Sequence, residues 1–280
     1  MKQLFRVFLV LILGAGFVFA GGGKDAGSGT EVKQSISVGG STSVTPLMEL
    51  FQEEYAKLHP NLTITVSGTG SGDGITGSAS GIYDIGMSSR ELRPAEIGTG
   101  LEPLVIAIDG IAIIVNNNNP INNLSMELIK DIYTGAITRW EQLGASANGK
   151  TGGIAIISRE PGSGTRDAFQ ELLGFSDANQ TSNLTILDGT GAIRSAVAGN
   201  PDAIGYISSG SVDASIKALI VEGASPTVAA IRNGSYKIAR PFVLITSTST
   251  VPSPAVKDFL DWIMGPQGQS IVGRSWVSVN

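Results

Sequence analysis

The sequence predicts an α/β architecture of mixed sheets covered by helices. Three observations lead there. From Ser35 onward, short β-branched runs alternate with segments whose apolar residues recur at helical spacing. Glycine occurs 37 times while aromatics make up only 6%, which fits many tight turns and close main-chain approaches. Of the 280 residues, 42% are hydrophobic and 15% charged. Such a chain buries a core rather than staying disordered, and it has length for one large or two modest domains.

Taken in order, Ser35 to Val38 reads as a short strand ending at Gly39 and Gly40. A helix follows, with Leu47, Leu50, Phe51, Tyr55 and Leu58 at helical spacing and Pro46 in its first turn. Leu62 to Val66 alternates as a strand, and Tyr83 to Met87 is another. Leu104 to Ile108 and Gly110 to Asn116 are apolar runs suited to buried strands. Asn116 to Asn119, before Pro120, reads as a surface turn. Ser125 to Tyr133 is helical, Ile154 to Ser158 a strand and Thr165 to Leu173 a helix. Ala192 to Ala198 is a helix, Ala203 to Ile207 a strand, Tyr236 to Thr246 extended and Val256 to Met264 a helix.

The first twenty residues read as a cleaved signal peptide. Lys2 and Arg6 are basic, Phe8 to Leu13 is apolar, and Val18-Phe19-Ala20 fits small-x-small cleavage. The apolar run is shorter than the ~20 residues a spanning helix needs. Residues 21–34, rich in Gly and Ser, read as a flexible linker.

Composition excludes several function classes. The chain has no Cys, so disulfides, thiol nucleophiles, thiolate metal sites and a lipid-modified Cys are out. The only His is His59, at the end of the first helix, which speaks against a transition-metal site and a Ser/His/Asp triad. The net charge is −5 without a Lys/Arg cluster, unlike a nucleic-acid binder. No cofactor is expected. Gly144 to Thr151 matches a phosphate loop formally, but a helix-like Trp140 to Leu143 precedes it and a strand follows. The motif needs the reverse order, so the match is read as chance.

Three segments share another design: a strand, a Gly/Ser/Thr turn, then a helix start. They are Gly39 to Ser43, Gly68 to Gly72, and Gly162 to Thr165. Each can be an ordinary N-cap with a loop glycine, or it can aim free N–H groups and hydroxyls at an anion. Arg159 ends a strand four residues before Ser163, where a planar guanidinium can meet an oxyanion. Asp84 sits in a strand, facing either a cleft or solvent.

Together these residues resemble the periplasmic phosphate-binding proteins that feed phosphate ABC transporters, the PstS-like family. The resemblance rests on Gly40-Ser41-Thr42-Ser43-Val44-x-Pro46, Ser67 to Gly72, Asp84 to Arg90 and Arg159-x-x-x-Ser163-Gly164-Thr165. Ala203 to Ile207 and Gly265 to Gln269 are similar too, and the likeness runs from about residue 35 to the end.

It implies a two-lobed, type II periplasmic-binding-protein fold without catalysis. One lobe would take residues 35–112 plus 238–280 and the other 113–237, with inorganic phosphate buried between them and handed to permease subunits. The protein would be a periplasmic monomer. Thr42 and Ser71 would donate to the ligand, with Ser41 and Ser43 as adjacent candidates. Arg159 would pair with Asp84 and the ligand, and Ser163, Gly164 and Thr165 would close the opposite wall. Asp84 would accept a proton from phosphate. Sulfate has none to give, and such a polar mismatch can reject a ligand by roughly 10⁴–10⁵. The alternatives are a binder of another tetrahedral oxyanion or a phosphorylated metabolite, or a phosphate-ester hydrolase.

Overall fold

A computed structural model describes residues 34–280. The expected signal peptide, and the linker apart from Gln34, lie outside the described residues. The first part of the chain forms β1 (Gln34–Gly40), α1 (Thr45–Leu58), β2 (Leu62–Gly68), α2 (Ser71–Ala79), β3 (Ile85–Ser88), α3 (Pro94–Ile97) and β4 (Leu101–Asn116). Next come β5 (Asn123–Leu124), α4 (Met126–Thr134), a 3-10 helix (Trp140–Ala147), β6 (Ala155–Arg159), α5 (Gly164–Leu173), β7 (Thr185–Leu187) and α6 (Gly189–Gly199). Then follow β8 (Ala203–Ser208), β9 (Ile216–Ala218), β10 (Ile220–Val221) and α7 (Val228–Arg232), and lastly β11 (Ala239–Ser247), α8 (Pro254–Met264) and α9 (Pro266–Val272).

One long strand ties the fold together. The main sheet runs β2-β1-β3-β11-β4-β8-β6-β7, with β9 also on β4. The first half of β4 pairs antiparallel with β11, Leu101 opposite Ser247 and Gly110 opposite Ala239. Its second half, Ile111 to Val115, pairs antiparallel with β8. β1, β2 and β3 are mutually parallel on one side, as are β6, β7 and β8 on the other. The sheet is therefore mixed, as the alternating pattern predicts.

Two large cores flank the crossing, giving two lobes. Ile36, Phe51, Ile106, Ala107, Phe242 and Phe259 belong to one. Ile111, Trp140, Phe169, Tyr206 and Ile238 belong to the other. The core changes between Ala107 and Ile111 and again between Ile238 and Phe242. Near the C-terminus, Trp276 packs in the first core and Val277 against the second.

The helices follow their apolar faces. α1 starts with Pro46 in its first turn and buries Leu47, Met48, Phe51 and Tyr55, while Leu58 at its last residue is 55% exposed. Ser125 and Ser253 cap α4 and α8 by accepting from Leu128 N and Val256 N.

Two expectations change in detail. The runs 104–108 and 110–116 are one continuous strand. The 116–119 turn is half buried: Asn116 donates to Val197 O and Ala198 O, and Asn119 is 1% exposed. Gly144 to Thr151 falls in and after the 3-10 helix and leads to a strand, the wrong context for a phosphate loop. Among the described residues no helix is long and apolar enough to cross a membrane.

Candidate anion-binding cleft

Parallel strands of both lobes end toward one cleft, and helices start there. β1 delivers Ser41 to Ser43, β2 leads to Ser71 at the start of α2, and β3 ends at Ser88 with Ser89 directly after it. From the other lobe, β6 ends at Arg159, Ser163 caps α5 and β7 leads to Thr190 in α6. Ligands of open α/β sheets bind at such carboxyl ends, where first-turn N–H groups lack partners.

Six hydroxyls form a continuous row across the cleft. Thr42 Oγ1 lies 3.2 Å from Thr190 Oγ1, which is 3.3 Å from Ser43 Oγ. Ser43 Oγ is 2.8 Å from Thr165 Oγ1, Thr165 Oγ1 is 3.4 Å from Ser89 Oγ, and Ser89 Oγ is 3.3 Å from Ser71 Oγ. Thr42, Ser43, Ser71 and Ser89 come from the first lobe, Thr165 and Thr190 from the second. Neither lobe holds the row alone.

Arg159 supplies the cation at one end. It is 1% exposed. Its Nε and Nη2 donate to the Glu160 carboxylate at 2.7 and 2.6 Å, and Nη2 also reaches Thr42 Oγ1 at 3.0 Å. Nη1, on the same edge as Nη2, is buried without an acceptor. Burial pushes the Glu160 carboxyl up, but Arg159 and the Gly189 N–H outweigh it and hold the group below the usual glutamate range. Behind Arg159, its own N–H donates to Tyr206 Oη at 3.3 Å, and the Tyr206 ring stacks on Phe169 of α5 at 4.0 Å. Strand end and helix start are thus held together.

A second guanidinium lies beneath the row. Arg240 Nη1 donates to Thr165 Oγ1 and to Ser89 O, both at 2.8 Å, and Nη2 pairs with Asp109 at 3.1 Å. Arg240 and Asp109 face each other where β4 and β11 cross. Asp109 also accepts from Ser208 and Ser209. Burial pushes the Asp109 carboxyl up, against the pull of Arg240 and the serines, and brings Arg240 down to about 10.

The lobes meet tightly. A Cβ on Gly164 would overlap Ser71 Oγ and come within 2.9 Å of Ser71 Cβ and 3.0 Å of Ser89 Oγ, so this position is glycine by contact. Gly72 N donates to Gly162 O across the same gap at 3.0 Å. Beside it, Asp167 of α5 accepts from Arg90 Nε and Arg93 Nη2, each at 2.9 Å, and Glu96 grips Arg90 with both oxygens at 2.8 Å.

The structure brings most of the expected residues together. Thr42, Ser71, Arg159, Gly164 and Thr165 converge. Ser41 and Ser163 are buried beside the row; Ser41 Oγ accepts from Ser43 N and Ser163 Oγ from Arg166 N. Of the adjacent pair, Ser43 enters the row.

Asp84 requires correction. It is exposed and precedes β3, at the strand end opposite Ser88 and Ser89. Its carboxylate accepts from Ser37 N and Ser37 Oγ at 2.8 and 2.7 Å. It therefore ties β3 to β1, and the partner of Arg159 is Glu160.

Ser89, Thr190, Glu160 and the Arg240–Asp109 pair escaped the sequence reading. Asp188-Gly189-Thr190 repeats the turn-then-helix design of the other three segments, and Asp109 and Arg240 are lone charges in apolar strands. His59 is exposed, stacked on Tyr55.

The fold and cleft together define a two-lobed binding protein with a polar cleft between the lobes. Comparisons agree. A family model described as a PBP superfamily domain matches residues 24–267. A Clostridium perfringens structure with bound phosphate, assigned as a phosphate ABC transporter substrate-binding protein, is 43% identical. It covers 88% of this chain and is itself covered completely, with a TM-score of 0.85. An ABC-type phosphate transport receptor from Vibrio cholerae is 33% identical, with 88% and 100% coverage and a TM-score of 0.70. The phosphate-binding protein PstS of Borreliella burgdorferi is 29% identical over 85% of this chain and 87% of its own. The chain belongs to the PBP superfamily and, within it, to the PstS-like substrate-binding proteins, a non-enzymatic family.

Proposed function

We propose that this protein captures inorganic phosphate between its lobes and delivers it to the permease subunits of a phosphate ABC importer. The observation that carries the reading is the buried, unpaired Nη1 of Arg159 at the end of a hydroxyl row built from both lobes. A buried guanidinium N–H without an acceptor is costly, and a tetrahedral oxyanion supplies that acceptor while taking several hydroxyl hydrogens. Thr42, Ser43, Ser71, Ser89, Arg159, Thr165 and Thr190 would touch the ligand, with Ser41, Ser163 and Gly164 shaping the walls.

The lobes would comprise about residues 35–112 plus 238–280 and 113–237. The change of core between Ala107 and Ile111, and between Ile238 and Phe242, supports a hinge a few residues to the side of those bounds. The basic, apolar, small-residue pattern of residues 1–20 supports export to the periplasm. The protein would work there as a monomer, without a Cys-linked lipid.

Isothermal calorimetry on protein freed of bound anion tests the reading. Phosphate should bind one to one with heat, and the melting temperature should rise with phosphate concentration. Absence of both would overturn it.

A further inference from the structure

The row is polarised by the groups behind it. Thr42 Oγ1 accepts from Arg159 Nη2 at 3.0 Å and from Thr190 N at 3.2 Å. Thr165 Oγ1 accepts from Arg240 Nη1 at 2.8 Å, and Ser71 Oγ from Ser89 N at 3.2 Å. Each of these oxygens already takes at least one N–H, and each hydroxyl keeps a hydrogen it can donate. They therefore suit an oxyanion acceptor whether or not it carries a proton.

Carboxylates are kept away from the row. Glu160 is gripped by Arg159 and by Gly189 N. Asp109 is engaged by Arg240, Ser208 and Ser209. Asp84 is at the far end of β3. Among the described residues no carboxylate is hydrogen-bonded to any of the six hydroxyls. The side chain that meets both Ser71 and Thr165 is that of Ser89, which is 1% exposed.

Resting on the phosphate reading above, we infer that this cleft accepts fully deprotonated tetrahedral dianions such as sulfate alongside phosphate, and that Ser89 is the position that sets this breadth. A carboxylate there would require a ligand proton and repel an anion without one. The Ser89 hydroxyl rotates: it donates to sulfate and accepts from the P–OH of phosphate. A fixed mismatch rejects a ligand by roughly 10⁴–10⁵, whereas the rotating hydroxyl should hold sulfate within about 10²-fold of phosphate.

The test is competition calorimetry on the full chain, titrating phosphate into protein with rising sulfate. Sulfate in hundredfold excess should weaken the apparent phosphate affinity in proportion. Ser89→Asp should lower sulfate's affinity relative to phosphate by at least tenfold, and the uncharged Ser89→Asn should keep sulfate competitive. Phosphate binding that is indifferent to sulfate in the native chain would overturn the inference and leave the phosphate reading standing. So would a Ser89→Asp protein, folded by its melting curve, whose sulfate-to-phosphate ratio is that of the native chain. No heat from phosphate in the native chain would overturn the phosphate reading itself.

Discussion

Replacing Arg159 with Met removes the cation at one end of the hydroxyl row and keeps much of its buried stem. Native Nη1 is unpaired and carries two hydrogens, while both Nη2 hydrogens are taken by Glu160 and Thr42, so bound phosphate gains one or two charge-assisted bonds at Nη1. Each is worth roughly 1.5–3 kcal/mol. Two such bonds lost come to about 3–6 kcal/mol, and at about 1.4 kcal/mol per tenfold the affinity should fall by roughly 10²–10⁴. A second cost falls on the fold. Glu160 would keep only the Gly189 N–H, and an underpaired buried carboxylate costs at least about 1–3 kcal/mol. Glu160 is partly reached by solvent, at 17% side-chain exposure, so the loss belongs near the lower end. The pair Arg159→Met/Glu160→Gln separates the two effects, because it should recover the melting temperature and none of the affinity. Calorimetry with phosphate and a thermal melt read both quantities. Binding by Arg159→Met within about threefold of native would refute the placement of Arg159 at the ligand, since that is well under one charged bond.

Three further outcomes follow from the geometry. Gly164→Ala forces a methyl against Ser71 and Ser89, and overpacking of about 1–3 kcal/mol should lower phosphate affinity about tenfold or more; unaltered affinity would show that the lobes do not close this tightly. Asp84→Asn should leave phosphate affinity alone and cost at most about 0.5–1.5 kcal/mol of stability through its Ser37 bonds, so a loss of binding with the fold intact would return Asp84 to the site. The Arg90 bond holds the Glu96 carboxyl below its ordinary value of 4.5. A depressed acid contributes stability above its unfolded value and loses it as pH falls through the folded one. The melting temperature should therefore stay level above that value and drop beneath it, with a shallower drop in Glu96→Gln; identical acid profiles would show that the Arg90 contact contributes nothing.

Much of the fold was legible because its strands are β-branched runs and its helix starts carry Ser, Thr and Gly. The same starts announced Thr42, Ser71 and Thr165. Misplacing Asp84 has a physical origin. Alternation tells which face of a strand a residue occupies, not which end of the sheet it reaches. Ligand groups belong at the C-terminal end of β3, so the residue after the strand, Ser89, enters the cleft while the residue before it does not. Asp109 looked like a break between two apolar runs. It is continuous strand because Arg240 lies directly opposite and satisfies the buried carboxylate. Thr190 was hidden because α6 begins at Gly189, three residues before its apolar spacing becomes visible.

A chain of net charge −5 cannot draw an anion in from a distance, because exposed charges are screened within about 8–10 Å at physiological salt. Its selectivity for an anion must come after contact, from groups that water no longer screens. That explains why both cleft-side guanidiniums are buried and paired with carboxylates. Each pair adds no net charge, yet Arg159 and Arg240 each turn a donor toward the hydroxyls. The donors are also split so that one lobe holds four hydroxyls and the other holds two plus Arg159. If the lobes open, either half would face solvent, where each hydroxyl can bond water. Only a closed arrangement sets all of them against one ligand, so ligand binding and lobe closure would be thermodynamically linked.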